Sequence, residues 1–205
     1  MGKIEINKKA KMTSLLDAAY KLFTTQGVNK TSVSEISKES GIAKGTFYLY
    51  FKDKYDIRNK LISHESSKLF TAAKTELLHY QKDHNISFED QIIFIVDHIV
   101  NALNANQSLL TFISKNLSWG IFKQALTSNI SDNDINFKHV FESMINECEQ
   151  PIYEPEVMIF MITELVSSTI YSAILYKEPV DLEHLKPHLY SAIRGIIQSH
   201  MCTSC

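Results

Sequence analysis

Between Ser32 and Lys54 the chain reads SVSEISKESGIAKGTFYLYFKDK, two stretches with helix signals around one glycine, and that arrangement restricts what the chain can fold into. Ser32 followed three residues later by Glu35 has the capping-box form, in which the hydroxyl accepts from a first-turn amide and the carboxylate reaches back. A helix is therefore predicted from about Val33. Gly41 supplies the backbone freedom for a tight turn. Beyond it, Lys44 to Phe51 carries Phe47 and Phe51 at i, i+4 spacing as a buried stripe, leaving Lys44, Gly45, Thr46, Tyr48, Leu49 and Lys52 on the opposite face and its flanks. Hydroxyls, ammonium groups and a methyl group on the free side of a second short helix suit a DNA groove. In a helix-turn-helix the second helix enters the major groove while the first lies across the backbone.

The helical period continues on both sides. Met12, Leu15, Leu16, Ala19, Leu22 and Phe23 form one apolar stripe ended by Gly27, the first helix of a three-helix head. The predicted head core is Leu15, Ala19, Phe23, Val28, Val33, Ile36, Phe47 and Phe51, closed by Ile57 and Leu61. From Lys54 to about Tyr80 there is neither proline nor glycine, so one long helix is expected to link head and body. The body then shows apolar helical segments over Phe88 to Leu103, Leu109 to Ala125, Phe137 to Cys148, Pro155 to about Tyr176, and from Leu182 onwards with Pro187 near its start. Residues 127–136, TSNISDNDIN, have loop composition. The fold class is thus all-α, a small head on a larger helical body.

Charge is distributed unevenly. Residues 1–60 carry 12 Lys or Arg against 6 Asp or Glu, a net +6, whereas residues 61–205 carry 9 against 17, a net −8. A basic head supplies a sequence-independent attraction to phosphates that weakens with salt. No apolar stretch near the start has signal-peptide length, and no run is expected to reach membrane-span length, with Glu164 interrupting the most apolar helix. Cys148, Cys202 and Cys205 do not make a disulfide framework, and the C-x-x-C with His200 reads as a terminal tail.

The stretch TSVSEISKESGIAKGTFYLYFKDKYDI resembles the N-terminal domain of the TetR family of bacterial transcription regulators. Over residues 9–69 the match includes Ala18, Phe23, Gly27, Thr31, Ile36, Gly41, Thr46, Phe47, Tyr48, Tyr50, Phe51 and Lys54 at the family's spacing. The resemblance implies a helix-turn-helix DNA-binding domain at 9–69 and a helical effector-binding and dimerisation domain at 70–202. It further implies a cytoplasmic homodimer, paired through the last two helices (about 156–176 and 182–200), that represses from an inverted-repeat operator in double-stranded DNA and releases it when a small apolar effector binds. Ser32 would meet a phosphate at a helix N-terminus; Lys44, Thr46 and Tyr48 would reach bases or thymine methyls; Gly45 would permit close approach; Tyr50 and Lys54 would hold the backbone. Leu49, within the reading segment, stands where many members have a polar or aromatic residue, and Ala43 where many have a serine cap. Two alternatives stay open: an architectural or cell-division DNA binder without an inducer, and a small-molecule binding protein that has lost operator reading.

An enzyme is not expected. His184 and His188 have helical ligand spacing without the glutamate of a metalloprotease or an assignable third ligand, Asp97 and His98 point about 100° apart on a helix, and no G-x-S-x-G, P-loop or Rossmann glycine pattern occurs. No catalytic group, metal or cofactor is assigned. In the body, Phe94, Phe112, Trp119, Phe122, Phe141, Met144, Phe160, Met161 and Tyr171 are candidate cavity residues, with His98, Asn101 and Glu164 as polar handles.

Overall fold

The computed structural model describes residues 3–116, 137–146, 148 and 150–201. Its described elements are the helices α1 (Lys3–Thr25), α2 (Val33–Ser40), α3 (Lys44–Phe47), α4 (Lys54–Tyr80), α5 (Phe88–Ala105), α6 (Gln107–Asn116), α7 (Phe137–Asn146), α8 (Pro155–Leu175) and α9 (Leu182–His200). One isolated antiparallel bridge, Ile152 with Met201, ties the approach to α8 to the end of α9. The expected loop at 127–136 and the tail cysteines Cys202 and Cys205 lie outside the described residues.

The capping box forms as the sequence predicts. Glu35 N donates to Ser32 Oγ at 3.2 Å and Ser32 N donates to Glu35 Oε2 at 2.8 Å, so two of the amides orphaned at the start of α2 are satisfied reciprocally. At the other end Gly41 has φ 69°, and its amide returns to the last turn of α2. That left-handed conformation favours glycine because a side chain there crowds the following carbonyl.

The second helix is shorter than the 44–51 expected. α3 ends at Phe47, after which Leu49 N and Tyr50 N donate to Thr46 O and Phe47 O in tight i→i−3 turns. Two local causes combine. Ala43 offers no side-chain cap, and Asp53 starts the next helix almost at once by accepting from Tyr55 N and Asp56 N, both at 2.8 Å. Lys52 N donates to Asp56 Oδ2 at 2.9 Å from the other side, so the chain must reverse within the intervening residues. Phe47 and Phe51 nevertheless point inwards, with ring centroids 5.5 Å apart, and the predicted head core is buried except for Val33, which is half-buried.

α4 serves both halves. Its 27 residues span about 40 Å at 1.5 Å per residue, burying Ile57 and Leu61 in the head and Phe70, Ala73 and Leu77 in the body. The expected boundary at 69/70 therefore falls inside a continuous helix. Phe112 of α6 closes the junction by packing edge-on to Tyr20 and stacking on Phe23 of α1, with centroids 6.2 and 6.1 Å away.

In the body α9 lies along α8 and is riveted to α5 by charge. Tyr190 donates its hydroxyl to Asp97, Lys186 Nζ donates to Asn101 Oδ1 at 2.7 Å, and Asn101 Nδ2 donates to Asp97 Oδ2 at 2.9 Å. Burial, then the bond to Asp97, pushes the Tyr190 phenol well above its ordinary range, so it stays a donor. A second rivet joins Arg194 to Asp90 at 2.7 Å, within reach of the Ser87 cap of α5. Asn101, expected as a ligand handle, is thus part of the seam.

One sequence expectation is corrected by α8. Its 21 residues are long and apolar enough to cross a membrane by length and composition, contrary to the expectation that no run reaches that length. Glu164, exposed in the single chain, does not break the run because one acidic residue leaves the segment long and apolar enough by composition. The structure uses α8 as a bundle helix: Met158, Ile162, Ile170, Ala173 and Ile174 are buried against its neighbours.

Candidate nucleic-acid interface and cavity

The tip of the head presents its side chains outwards. Tyr48 is 52% exposed and Leu49 80%, large values for apolar surface on a small, well-packed domain. Lys44 and Gly45 are exposed beside them, Thr46 is half-buried at the edge, and Tyr50 is half-buried against the head core. The Phe47 ring supports the platform from beneath, edge-on to Tyr48 with centroids 5.4 Å apart. Apart from its chain neighbours and the backbone of its own helix, no described atom comes within 4 Å of the position a Cβ of Gly45 would occupy. Among the described residues packing does not require a glycine there, and the same holds for Gly195 on α9.

Two predicted contact residues are engaged internally. The Ser32 hydroxyl donates to Glu35 Oε2 at 2.7 Å, so a carboxylate already occupies the N-terminus of α2 where a phosphate was expected. That hydroxyl, then the Ser32 amide, holds the Glu35 carboxyl below the usual glutamate range. Lys54 Nζ donates to three carbonyl oxygens in the α1–α2 connection: Val28 at 3.1 Å, Asn29 at 3.0 Å and Thr31 at 3.1 Å. An ammonium has three protons, and all three are used. Lys54 thus straps the entry of α2 to the start of α4 and fixes how the tip of the head sits on that helix. Sequence reasoning missed this strap because its partners are backbone oxygens 23–26 residues away.

A cavity of about 160 Å³ opens among α4, α5, α6, α7 and α8. Its wall is made by Leu69 and Phe70, by Ile92, Ile95, Val96 and Ile99, by Ile113, and by Ile159, Ile162 and Val166. Of the candidate residues, Phe141 and Met144 line it. Phe94 and His98 instead edge a separate cleft on the outside of α5 with Asp97 and Asn101. Phe112 belongs to the head–body junction, Tyr171 packs edge-on to Tyr176, and Phe160, Met161 and Glu164 are exposed on α8. Trp119 and Phe122 lie outside the described residues. Within the described residues the apolar stripes are helical, but which turn faces the cavity is decided by how the helices converge.

The sequence model of the family described as "Bacterial regulatory proteins, tetR family" matches residues 15–61, the segment that folds into α1, α2, α3 and the start of α4. Over residues 15–61 the chain is a TetR-family sequence. Among TetR-like relatives, an uncharacterized HTH-type transcriptional regulator of Bacillus subtilis, YuxN, is 41% identical over 63 residues, 31% of this chain and only 22% of that protein. The HTH-type transcriptional regulator SAB2452 of Staphylococcus aureus is 26% identical over 142 residues, 67% of this chain and 77% of that one. The fold of head and body together is also found in solved structures: the transcriptional regulator FadR of Bacillus subtilis, in complex with stearoyl-CoA, superimposes with a TM-score of 0.62 at 16% identity, covering 88% of this chain and 96% of that one. At that identity the likeness concerns the fold.

Proposed function

We propose that this chain is a ligand-responsive transcriptional repressor that binds an inverted-repeat operator as a homodimer and leaves it when a small apolar molecule enters the body. The observation that carries the reading is the tip of the head, where Tyr48 and Leu49 project from a base held by the buried Phe47, beside the exposed Lys44 and Gly45. Lys44, Thr46 and Tyr48 read base edges in the major groove, Gly45 and Leu49 allow close apolar approach, and Tyr50 lies against the backbone. Ser32 and Lys54 act by position, the first through the cap of α2 and the second through the strap.

Dimer formation rests on α8 and α9. Val157, Phe160 and Met161 are exposed in the single chain, an apolar strip that also carries Glu164 along one side of a helix that otherwise belongs to a core. A second copy related by a two-fold axis covers such a strip with itself, giving a four-helix seam over residues 156–176 and 182–200. The reading places the protein in the cytoplasm with its operator.

Coupling runs through α4. The cavity touches the middle of this helix at Ser66, Ser67, Leu69 and Phe70, about two turns beyond Leu61 of the head core. A ligand that favours one position of α4 shifts the separation of two reading tips in the dimer. Fluorescence anisotropy on a palindromic operator and on a scrambled duplex of equal length tests the proposal. A preference of at least about a thousandfold for the palindrome is expected, and equal affinities would defeat it.

A further inference from the structure

We infer that the body cavity admits its ligand only in uncharged form, taking a neutral molecule with a carbon skeleton about the size of one six-membered ring and rejecting the matching anion and cation. The inference rests on the ligand-responsive reading above and narrows it to a chemical class.

The argument starts from the composition of the wall. Among the described residues lining the cavity there is no Asp, Glu, Lys, Arg or His, and no side-chain amide. The polar groups are the hydroxyls of Ser66 and Ser67 on α4, Ser114 on α6, and Thr163 and Ser167 on α8. Ser167 already turns its hydroxyl back to Glu164 O at 3.3 Å. Hydroxyls can meet one neutral oxygen or nitrogen of a ligand, but they cannot replace the hydration shell of an ion. Moving an unpaired carboxylate or ammonium into such surroundings carries a penalty far larger than a neutral hydroxyl does. Two charged pairs of the body, among the described residues, lie on the α5–α9 seam instead: Asp97 with Lys186, and Asp90 with Arg194.

Size follows from volume. At about 160 Å³ the cavity is close to the engineered apolar cavity of about 150 Å³ that binds benzene. One ring, or a chain of about six carbons, fills it. Hydroxyls from α4, α6 and α8 give a neutral ligand an orienting contact on the lever helix and on the helix of the dimer seam alike.

The test uses three probes with one carbon skeleton at pH 7.5: cyclohexanol, cyclohexanecarboxylate and cyclohexylammonium. Binding to the full-length protein is followed by NMR of isoleucine methyl groups, because Ile95 on α5, Ile113 on α6 and Ile159 on α8 report from three sides of the wall. Cyclohexanol is expected to shift these methyls saturably, and each ion to bind at least about a hundredfold more weakly. Val166→Phe, which fills the space, should abolish the shifts; Thr163→Leu, a milder change, replaces it if the first variant does not fold. An ion that binds within about threefold of the alcohol overturns the inference, and so does a wall that responds to none of the three. Operator release is measured on the same samples. Cyclohexanol bound in the cavity with the operator still held would leave this inference standing and defeat the ligand-responsive reading; operator release by an ion acting at these methyls would do the reverse.

Discussion

Replacing Gly45 by alanine separates folding from reading at a single atom. Gly45 lies in α3 without a positive φ, and, apart from its chain neighbours and the backbone of its own helix, the added Cβ meets no described atom within 4 Å. The folded state therefore accepts the methyl group without strain, while the unfolded chain loses backbone freedom. Such substitutions stabilise by about 0.5–1 kcal/mol, which for a chain of this length raises Tm by about 1–4 °C. The same methyl group stands on the face that approaches DNA, beside Lys44 and Tyr48. If the backbone of α3 comes close to the duplex, the methyl group displaces it, and a loss of about tenfold in operator affinity, or about 1.4 kcal/mol, is expected. Thermal unfolding followed by circular dichroism and anisotropy on the operator give the two numbers from one preparation. A variant that is more stable and binds the operator as well as the parent would refute the assignment of Gly45 to the interface. A variant that is less stable would refute the claim that the site is open.

Three further outcomes follow from the geometry. Lys54→Met should lower stability by about 1–3 kcal/mol through three lost charge-assisted bonds, yet leave the slope of log K against log salt unchanged; a slope flattened by about 0.9 would mean that the ammonium meets a phosphate instead. Phe160→Asp places a carboxylate in the apolar strip of α8 and should give a monomer by sedimentation, with operator affinity falling while the far-ultraviolet spectrum is kept; a variant that stays dimeric would move the interface elsewhere. The Arg194 guanidinium, then the Ser87 hydroxyl, lowers the Asp90 pKa in the folded state. Its stabilising contribution is therefore complete above the ordinary aspartate range and is lost as pH falls through the depressed folded value, so Asp90→Asn should be less stable than the parent near neutrality and converge with it in acid. Parallel pH profiles would contradict that.

Much of the head was legible because its signals are local. Ser32 and Glu35 lie three residues apart, Gly41 ends their helix, and Phe47 and Phe51 fall on one side, so cap, turn and core could be read from spacing alone. The 27 residues of α4 were equally plain, since nothing between Lys54 and Tyr80 interrupts a helix. What escaped was non-local. The length of α3 depends on how soon Asp53 caps the following helix, and the role of Lys54 depends on carbonyls in another connection. In the body, Ser66, Ile95 and Val166 looked no more like cavity residues than Phe94 or Phe112 did, because helical periodicity gives the buried side of each helix but not which neighbour it meets. Glu164, a candidate polar handle by sequence, falls on the outer side of α8 for the same reason: its position is set by the bundle.

The claim at the centre is that the tip formed by Lys44 to Tyr50 reads a symmetric DNA sequence. Selection of bound duplexes from a random pool by the purified protein tests it most directly. Recovery of a palindrome whose half-sites change identity when Tyr48 is replaced by alanine is the predicted result; a pool that stays random, or a motif unaffected by that replacement, would contradict the account.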